Sequence, residues 1–73
     1  MKVIVLIEKG AYGTYSAYTS NTQSTIVDEG NTKEEAIEDF EYAIRELKEY
    51  YAAEGVELPE ELQDMDIEYQ EYI

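Results

Sequence analysis

The chain has 73 residues with no cysteine and no histidine, and 18 acidic against 5 basic residues give it a formal charge of −13. A chain this short forms one domain with a thin core, because it buries only roughly 60% of the surface that its unfolded form exposes. The composition excludes disulfides, the usual zinc ligands, a histidine general base and a thiol nucleophile, and so strong a negative field repels phosphate backbones, so direct nucleic-acid binding is not expected.

The N-terminal half predicts three strands. Residues 2–8 form an apolar, β-branched run without polar alternation, which is typical of a central strand covered on both faces. A glycine-containing turn follows, and residues 14–19 predict a second strand that forms a hairpin with the first. Residues 24–29 predict a third strand, which Gly30 ends, so that the strands form a meander.

The middle of the chain predicts a long helix at residues 33–54, because apolar residues recur there at spacings of three and four. Thr32 is the expected N-cap, and Glu35 completes a capping box by reaching back to the Thr32 backbone N–H. Gly55 can take the left-handed conformation that ends a helix. The apolar face predicted to pack on the sheet consists of Ala36, Ile37, Phe40, Ala43, Ile44, Leu47 and Tyr51.

The tail predicts a fourth strand at residues 65–72, because apolar and acidic residues alternate from Met65 onward. The alternation leaves open whether this strand pairs within its own sheet or with the edge of another subunit. The whole chain, residues 1–73, is therefore predicted as a single α+β domain of order βββαβ. In this domain an antiparallel sheet of three to four strands carries one long helix on one face.

Size and the N-terminal run also predict the assembly and the compartment. A small chain without disulfides or metals is commonly stabilised by association, so a homodimer is the default expectation. The apolar run at the N-terminus is much shorter than a signal-peptide core or the roughly 20 residues that span a bilayer. We therefore predict a cytoplasmic protein without membrane contact.

Several blocks of the sequence resemble the N-terminal domain of HicB-type antitoxins. The matching residues are Gly13-Thr14-Tyr15-Ser16-Ala17-Tyr18, Gly30-Asn31-Thr32 followed by Glu34-Glu35-Ala36, the run from Ile37 to Ile44, and the exit from Gly55 to Pro59. The resemblance covers about Met1 to Pro59. In the loop before the third strand, Asn21–Thr25 departs from the family's usual proline- and glycine-containing sequence.

The resemblance implies a non-catalytic antitoxin that neutralises a small basic HicA-like ribonuclease toxin by covering its RNA surface and active site. Only residues 60–73 follow Pro59, so the DNA-binding module common in the family is not expected. A strongly acidic surface would attract a basic partner, but it is more often simply a solvated surface. The alternative function is a stand-alone homodimeric interaction module without a toxin partner.

No residue is assigned to catalysis, to a cofactor or to a metal. The spacing Asp64-x-Asp66-x-Glu68 lacks the central glycine and the last glutamate of a calcium-binding loop, and it is more typical of a solvated strand face. The candidate partner-binding residues are acids of the helix and the tail, together with tyrosines expected to be exposed. They are Glu34, Glu38, Glu41, Asp66, Glu68, Tyr18, Tyr69 and Tyr72.

Overall fold

The computed structural model describes residues 2–23 and 25–72, so Met1, Ser24 and Ile73 lie outside this description. Its elements in chain order are the strands β1 (Lys2–Lys9), β2 (Tyr15–Thr19) and β3 (Val27–Gly30), the helices α1 (Lys33–Glu54) and α2 (Glu60–Gln63), and the strand β4 (Asp66–Tyr72). The predicted α+β class and the order βββαβ are confirmed, and the short helix α2 was not predicted. Neither helix in the described ranges combines the length and the apolar content that a membrane span requires.

The strands form one mixed sheet in the order β3-β2-β1-β4. The predicted hairpin and meander are confirmed, because β2 pairs antiparallel with both β1 and β3. The prediction of an antiparallel sheet is wrong for β4, which pairs parallel with β1 from Lys2 opposite Asp66 to Glu8 opposite Tyr72. A parallel neighbour needs a long crossover connection, and α1 supplies it between β3 and β4. The predicted central place of β1 is confirmed.

The third strand begins at Val27, later than the predicted start at Ser24, which lies outside the described residues. Thr19 accounts for the late start, since its buried hydroxyl oxygen accepts a hydrogen bond from the Ile26 N–H at 3.0 Å. The Thr19 N–H in turn donates to the Ile26 carbonyl at 3.0 Å. A side chain thus satisfies a backbone donor that a regular ladder would have satisfied, and regular pairing begins one residue later.

The bounds of α1, its N-cap Thr32 and its closing residue Gly55 are as predicted. The Thr32 hydroxyl accepts from the Glu35 N–H at 3.1 Å, and Gly55 closes the helix in the left-handed region with φ of 68°. The reciprocal half of the capping box differs from the prediction, because the Glu35 carboxylate accepts from the Asn31 N–H at 2.8 Å and not from Thr32. The carboxylate still satisfies a backbone donor next to the helix start.

The core lies between α1 and one face of the sheet. Phe40 is its largest fully buried side chain, and Leu62 from α2 belongs to the same cluster. The remaining buried apolar residues are Val3, Val5, Ile7, Ala17, Ala36 and Ile44. The other predicted helix positions, Ile37, Ala43, Leu47 and Tyr51, are half-buried. The helix face predicted to pack on the sheet is therefore confirmed.

Candidate protein-binding surface

The sheet face that points away from α1, here called the open face, carries apolar side chains without a covering layer. Along β1, Val3, Val5 and Ile7 are buried under the helix, whereas Ile4 and Leu6 point to the open face and are only half-buried. The prediction that β1 is covered on both faces is thus wrong for one face within the described residues. A strand sequence suited to two covered faces has one of them open to solvent.

The strand registers build an apolar row across the open face. Tyr18 of β2 lies opposite Leu6 of β1 and opposite Val27 of β3, so these three side chains stand side by side on the same face. Side chains in such opposed positions are about 5 Å apart and contact each other. Val27 is 56% exposed, and Ile4 lies next to this row along β1. We call Ile4, Leu6, Tyr18 and Val27 the apolar strip.

Carboxylates surround the apolar strip. Tyr72 of β4 lies opposite Glu8 of β1, next to Tyr18. Desolvation is the largest cause that raises the pKa of the Tyr18 hydroxyl, and the Glu8 carboxylate and Tyr72 raise it further. By strand register, the acidic residues of the open face are Glu8, Glu29, Asp66 and Glu68. The rim of the strip is therefore negatively charged.

A lysine at the edge of the open face offsets part of this charge. The Lys2 ammonium contacts the Glu68 carboxylate at 3.1 Å, and both side chains remain substantially exposed. This contact raises the pKa of Lys2, while hydrogen bonds from Gln70 and then from Lys2 lower the pKa of Glu68. An exposed ion pair of this kind contributes little to stability, so its partners can be exchanged at small cost.

The predicted partner-binding residues fall on two sides of the sheet. Tyr18, Asp66, Glu68 and Tyr72 share the open face, where Tyr72 is 56% exposed. Glu34, Glu38 and Glu41 are exposed on α1, on the other side of the sheet. The structure therefore does not bring the predicted set into one surface.

Tyr69 is not the exposed anchor that was predicted. It lies opposite Val5 on the helix-facing side of β4, where it is half-buried against the core. Its hydroxyl donates to the Glu41 carboxylate at 2.9 Å. Burial and this hydrogen bond both raise the pKa of the Tyr69 hydroxyl. The reason is strand alternation, which places Tyr69 on the face opposite to that of Tyr72.

Some exposed or half-exposed residues were missed by the sequence interpretation. Ile4 and Leu6 were assigned to a covered strand, and no signal in a uniformly apolar run tells which half lacks cover. Tyr12 is 97% exposed at the tip of the β1–β2 hairpin. The turn that presents it is closed by a hydrogen bond from the Gly10 N–H to the Thr14 carbonyl at 2.7 Å.

Two grooves lie beside the sheet and the helix. One groove, of about 370 Å³, lies at the ends of β1 and β4, where Lys33 forms an ion pair with Glu71 beside Tyr15 and Tyr72. The other, also of about 370 Å³, lies below the end of α1 and is lined mainly by apolar side chains such as Leu47. Within residues 2–23 and 25–72, no cluster of carboxylates is placed to hold a metal ion.

Comparison with known proteins returned no match. No family model matches the chain, and searches of the curated proteins and of the solved structures found no significant similarity. The resemblance to HicB-type antitoxins therefore stays a prediction from the sequence.

Proposed function

We propose that this protein is a non-catalytic binding module whose open face covers a small basic protein. The observation that carries the proposal is the uncovered half of β1, where Ile4 and Leu6 are half-buried beside Tyr18. Burial of apolar surface is worth roughly 25 cal/mol per Å², so a partner that covers this strip gains a favourable free energy. The strip thus has the apolar centre and the polar rim that are typical of protein interfaces.

Charge supports a basic partner over a second copy of the chain. Each copy carries a formal charge of −13, and a face-to-face dimer would bring together two open faces that both carry Glu8, Glu29 and Asp66. Like charges placed across an interface cost several kcal/mol, whereas opposite charges speed association. A partner with lysines and arginines around an apolar centre complements this face.

The resemblance to HicB-type antitoxins supports a more specific form of the proposal. We infer a HicA-like ribonuclease toxin as the partner, which the open face neutralises by occupying a basic surface that otherwise binds RNA. Carboxylates such as Glu8 and Glu68 would take the places of RNA phosphates against the toxin's basic residues. This action needs only binding, in agreement with the absence of histidine and cysteine from the sequence.

Co-expression with a basic protein encoded by the adjacent reading frame tests the proposal. We expect rescue from growth arrest and co-purification of a complex that weakens as the salt concentration rises. Glu8→Lys on the open face should weaken the complex much more than Glu49→Lys on α1, which makes the same change in charge at an exposed position away from the sheet.

Three outcomes would count against the proposal. A toxic neighbour that is neither bound nor rescued would exclude neutralisation. Equal effects of the two charge reversals would show that net charge, and not the open face, attracts the partner. An adjacent frame without a basic protein, together with a dimer of this chain in light scattering, would favour the alternative of a stand-alone homodimeric module.

A further inference from the structure

The hydrogen bonds of β1 show which backbone groups of its neighbour β4 point toward β1 and which point outward. Ile4 turns both of its polar groups toward β2, because its carbonyl accepts from the Ser20 N–H at 2.9 Å and its N–H donates to the Asn21 side chain at 2.9 Å. The backbone groups of successive residues in a strand point to opposite sides. Val3, Val5 and Ile7 therefore turn their N–H and C=O groups toward β4. In a parallel ladder, a residue paired with such a neighbour turns its own groups away from the ladder.

The outer edge of β4 therefore presents free backbone groups. The residues opposite Val3, Val5 and Ile7 are Ile67, Tyr69 and Glu71. Their N–H and C=O groups point away from the sheet, on a side where no described strand lies.

Of the two edge strands, β4 is the better template for a further strand. It has 7 residues, whereas the other edge strand, β3, has 4. A long edge strand with free backbone groups is a ready site for pairing with another chain.

Both sides of the β4 edge carry acidic groups. Asp66 and Glu68 lie on the open face, and Glu71 lies on the helix-facing side together with Glu41, which Tyr69 holds by a hydrogen bond. The side chains of an added strand alternate between these two sides, so basic residues of either parity meet carboxylates. An added strand would therefore have acidic side chains of β4 beside it on both faces of the sheet.

We infer that the outer edge of β4 accepts an extended, lysine- or arginine-rich segment of a partner protein by strand addition, so that the segment becomes a fifth strand. The basic character of the partner rests on the proposed function, and the edge adds the way in which the partner is held. The side chains of the lysines in the ion pairs Lys2–Glu68 and Lys33–Glu71 are 58% and 43% exposed, so basic residues of the partner can replace them at small cost.

A second copy of this chain is a poor occupant of the same edge. β4 contains Asp66, Glu68 and Glu71 and no basic residue, so pairing of β4 with itself would combine acidic strands only. Charged residues on an edge strand are a common protection against such self-pairing. The acidic edge of β4 therefore attracts a basic segment and repels a second copy of the chain.

Two peptides of equal charge test the inference on the full chain. The first, Lys-Val-Lys-Val-Lys-Val-Lys-amide, can extend as a strand, and the second has proline in place of the central valine and cannot complete the ladder; both carry the same fluorophore at the N-terminus. Fluorescence anisotropy should show that the valine peptide binds about tenfold more tightly, the effect expected from lost ladder hydrogen bonds.

Two variants at position 71 isolate the backbone contribution. Glu71→Ala and Glu71→Pro remove the same charge, but only the proline variant removes an outward N–H, and an edge position with a solvent-facing N–H tolerates proline. We expect Glu71→Ala to keep the preference for the valine peptide and Glu71→Pro to lose it. Equal behaviour of the two variants, or equal affinity of the wild type for the two peptides, would overturn the inference.

Amide hydrogen exchange on the wild type tests the same site without any variant. In the free chain the amides of Ile67, Tyr69 and Glu71 should exchange quickly, while those of Glu68 and Gln70 are protected by β1. Addition of the valine peptide should protect the first group. Unchanged exchange there would refute strand addition, and so would a dimer that Glu71→Pro dissociates, because a second copy would then occupy the edge.

The outcomes separate this inference from the proposed function. A neighbouring basic protein that binds and is neutralised equally well by Glu71→Pro and by Glu71→Ala would leave the proposed function intact and remove the edge site. Binding of the valine peptide at the edge, without binding of the neighbouring basic protein, would leave the edge site intact and remove the proposed function.

Discussion

Replacement of Leu6 by threonine tests how the burial free energy of this side chain is divided between folding of the chain and binding of the proposed partner. Leu6 is half-buried in the free chain, beside Tyr18. Complete burial of a leucine side chain is worth about 2 kcal/mol, so about 1 kcal/mol supports folding and about 1 kcal/mol remains for binding. Threonine has the β-branched shape that strands favour, and it removes most of the apolar contact that leucine makes.

These magnitudes predict two separate effects of Leu6→Thr. The free energy of unfolding should fall by about 1 kcal/mol, which lowers Tm by roughly 4–8 °C in a domain of this size. The dissociation constant of the complex with the basic partner should rise about fivefold. Denaturant unfolding of the free chain and titration calorimetry of the complex measure the two effects.

Val5→Ala is the matched control, because Val5 is the adjacent residue of β1 and is fully buried on the covered face. It should cost about 2 kcal/mol of stability and leave the dissociation constant unchanged when binding is measured well below Tm. The reasoning is refuted if Leu6→Thr lowers stability without weakening the complex, or if Val5→Ala weakens the complex equally.

Further substitutions test contacts that hold the sheet and α1 together. A Cβ atom on Gly30 would lie 2.5 Å from the Ala36 backbone nitrogen, so Gly30→Ala should cost about 1–3 kcal/mol, and an unchanged Tm would contradict this close approach. Tyr69→Phe removes the hydrogen bond to Glu41 and should cost about 1 kcal/mol. Because the pKa of Tyr69 is raised in the folded protein, this stability is complete below the unfolded-state pKa of about 10 and is lost as the pH rises through the higher folded-state pKa. A comparison of the free energy of unfolding at about pH 8 and pH 11 will measure the loss. Burial, and then the carboxylate of Asp39 on α1, raise the pKa of Asp28. The stability contributed by protonated Asp28 is therefore complete below the unfolded-state pKa of about 4 and is lost as the pH rises through the folded-state pKa. Asp28→Asn should therefore stabilise the fold at pH 7 by less than about 1 kcal/mol and reduce the gain in stability on acidification, as thermal unfolding across this pH range will test.

Local signals predicted the elements, and the direction of β4 depended on information that is not local. The bounds of α1 follow from the cap at Thr32, the apolar period and Gly55, all of which act within a few residues. Alternation after Met65 predicted a strand but carries no information about its direction. Direction depends on which end of the sheet the chain reaches after crossing it through α1, and this is set by packing of the whole chain.

The candidate surface was predictable in part. Alternation alone separates Tyr69 from Tyr72, because residues three apart in a strand point to opposite faces, so the two could not be joint anchors of one flat surface. The roles of Ile4 and Leu6 could not be predicted, since the run in β1 is apolar on both faces and only the fold decides which face the helix covers. Asp66 and Glu68 were assigned to a surface strand, but their position beside the apolar strip depends on the parallel register with β1.

The apolar strip and the negative charge are best understood together. One long helix covers one face of this sheet, so the apolar residues of the other face are left to solvent or to a partner. Under the proposed function, the rim of carboxylates would keep copies of the chain apart by the same field that attracts a basic protein, and salt would screen both effects. High ionic strength should therefore weaken binding of the partner while it permits self-association through the strip. A plain solvated surface would not self-associate at high ionic strength, because it has no apolar centre for a second copy to cover once the repulsion is screened.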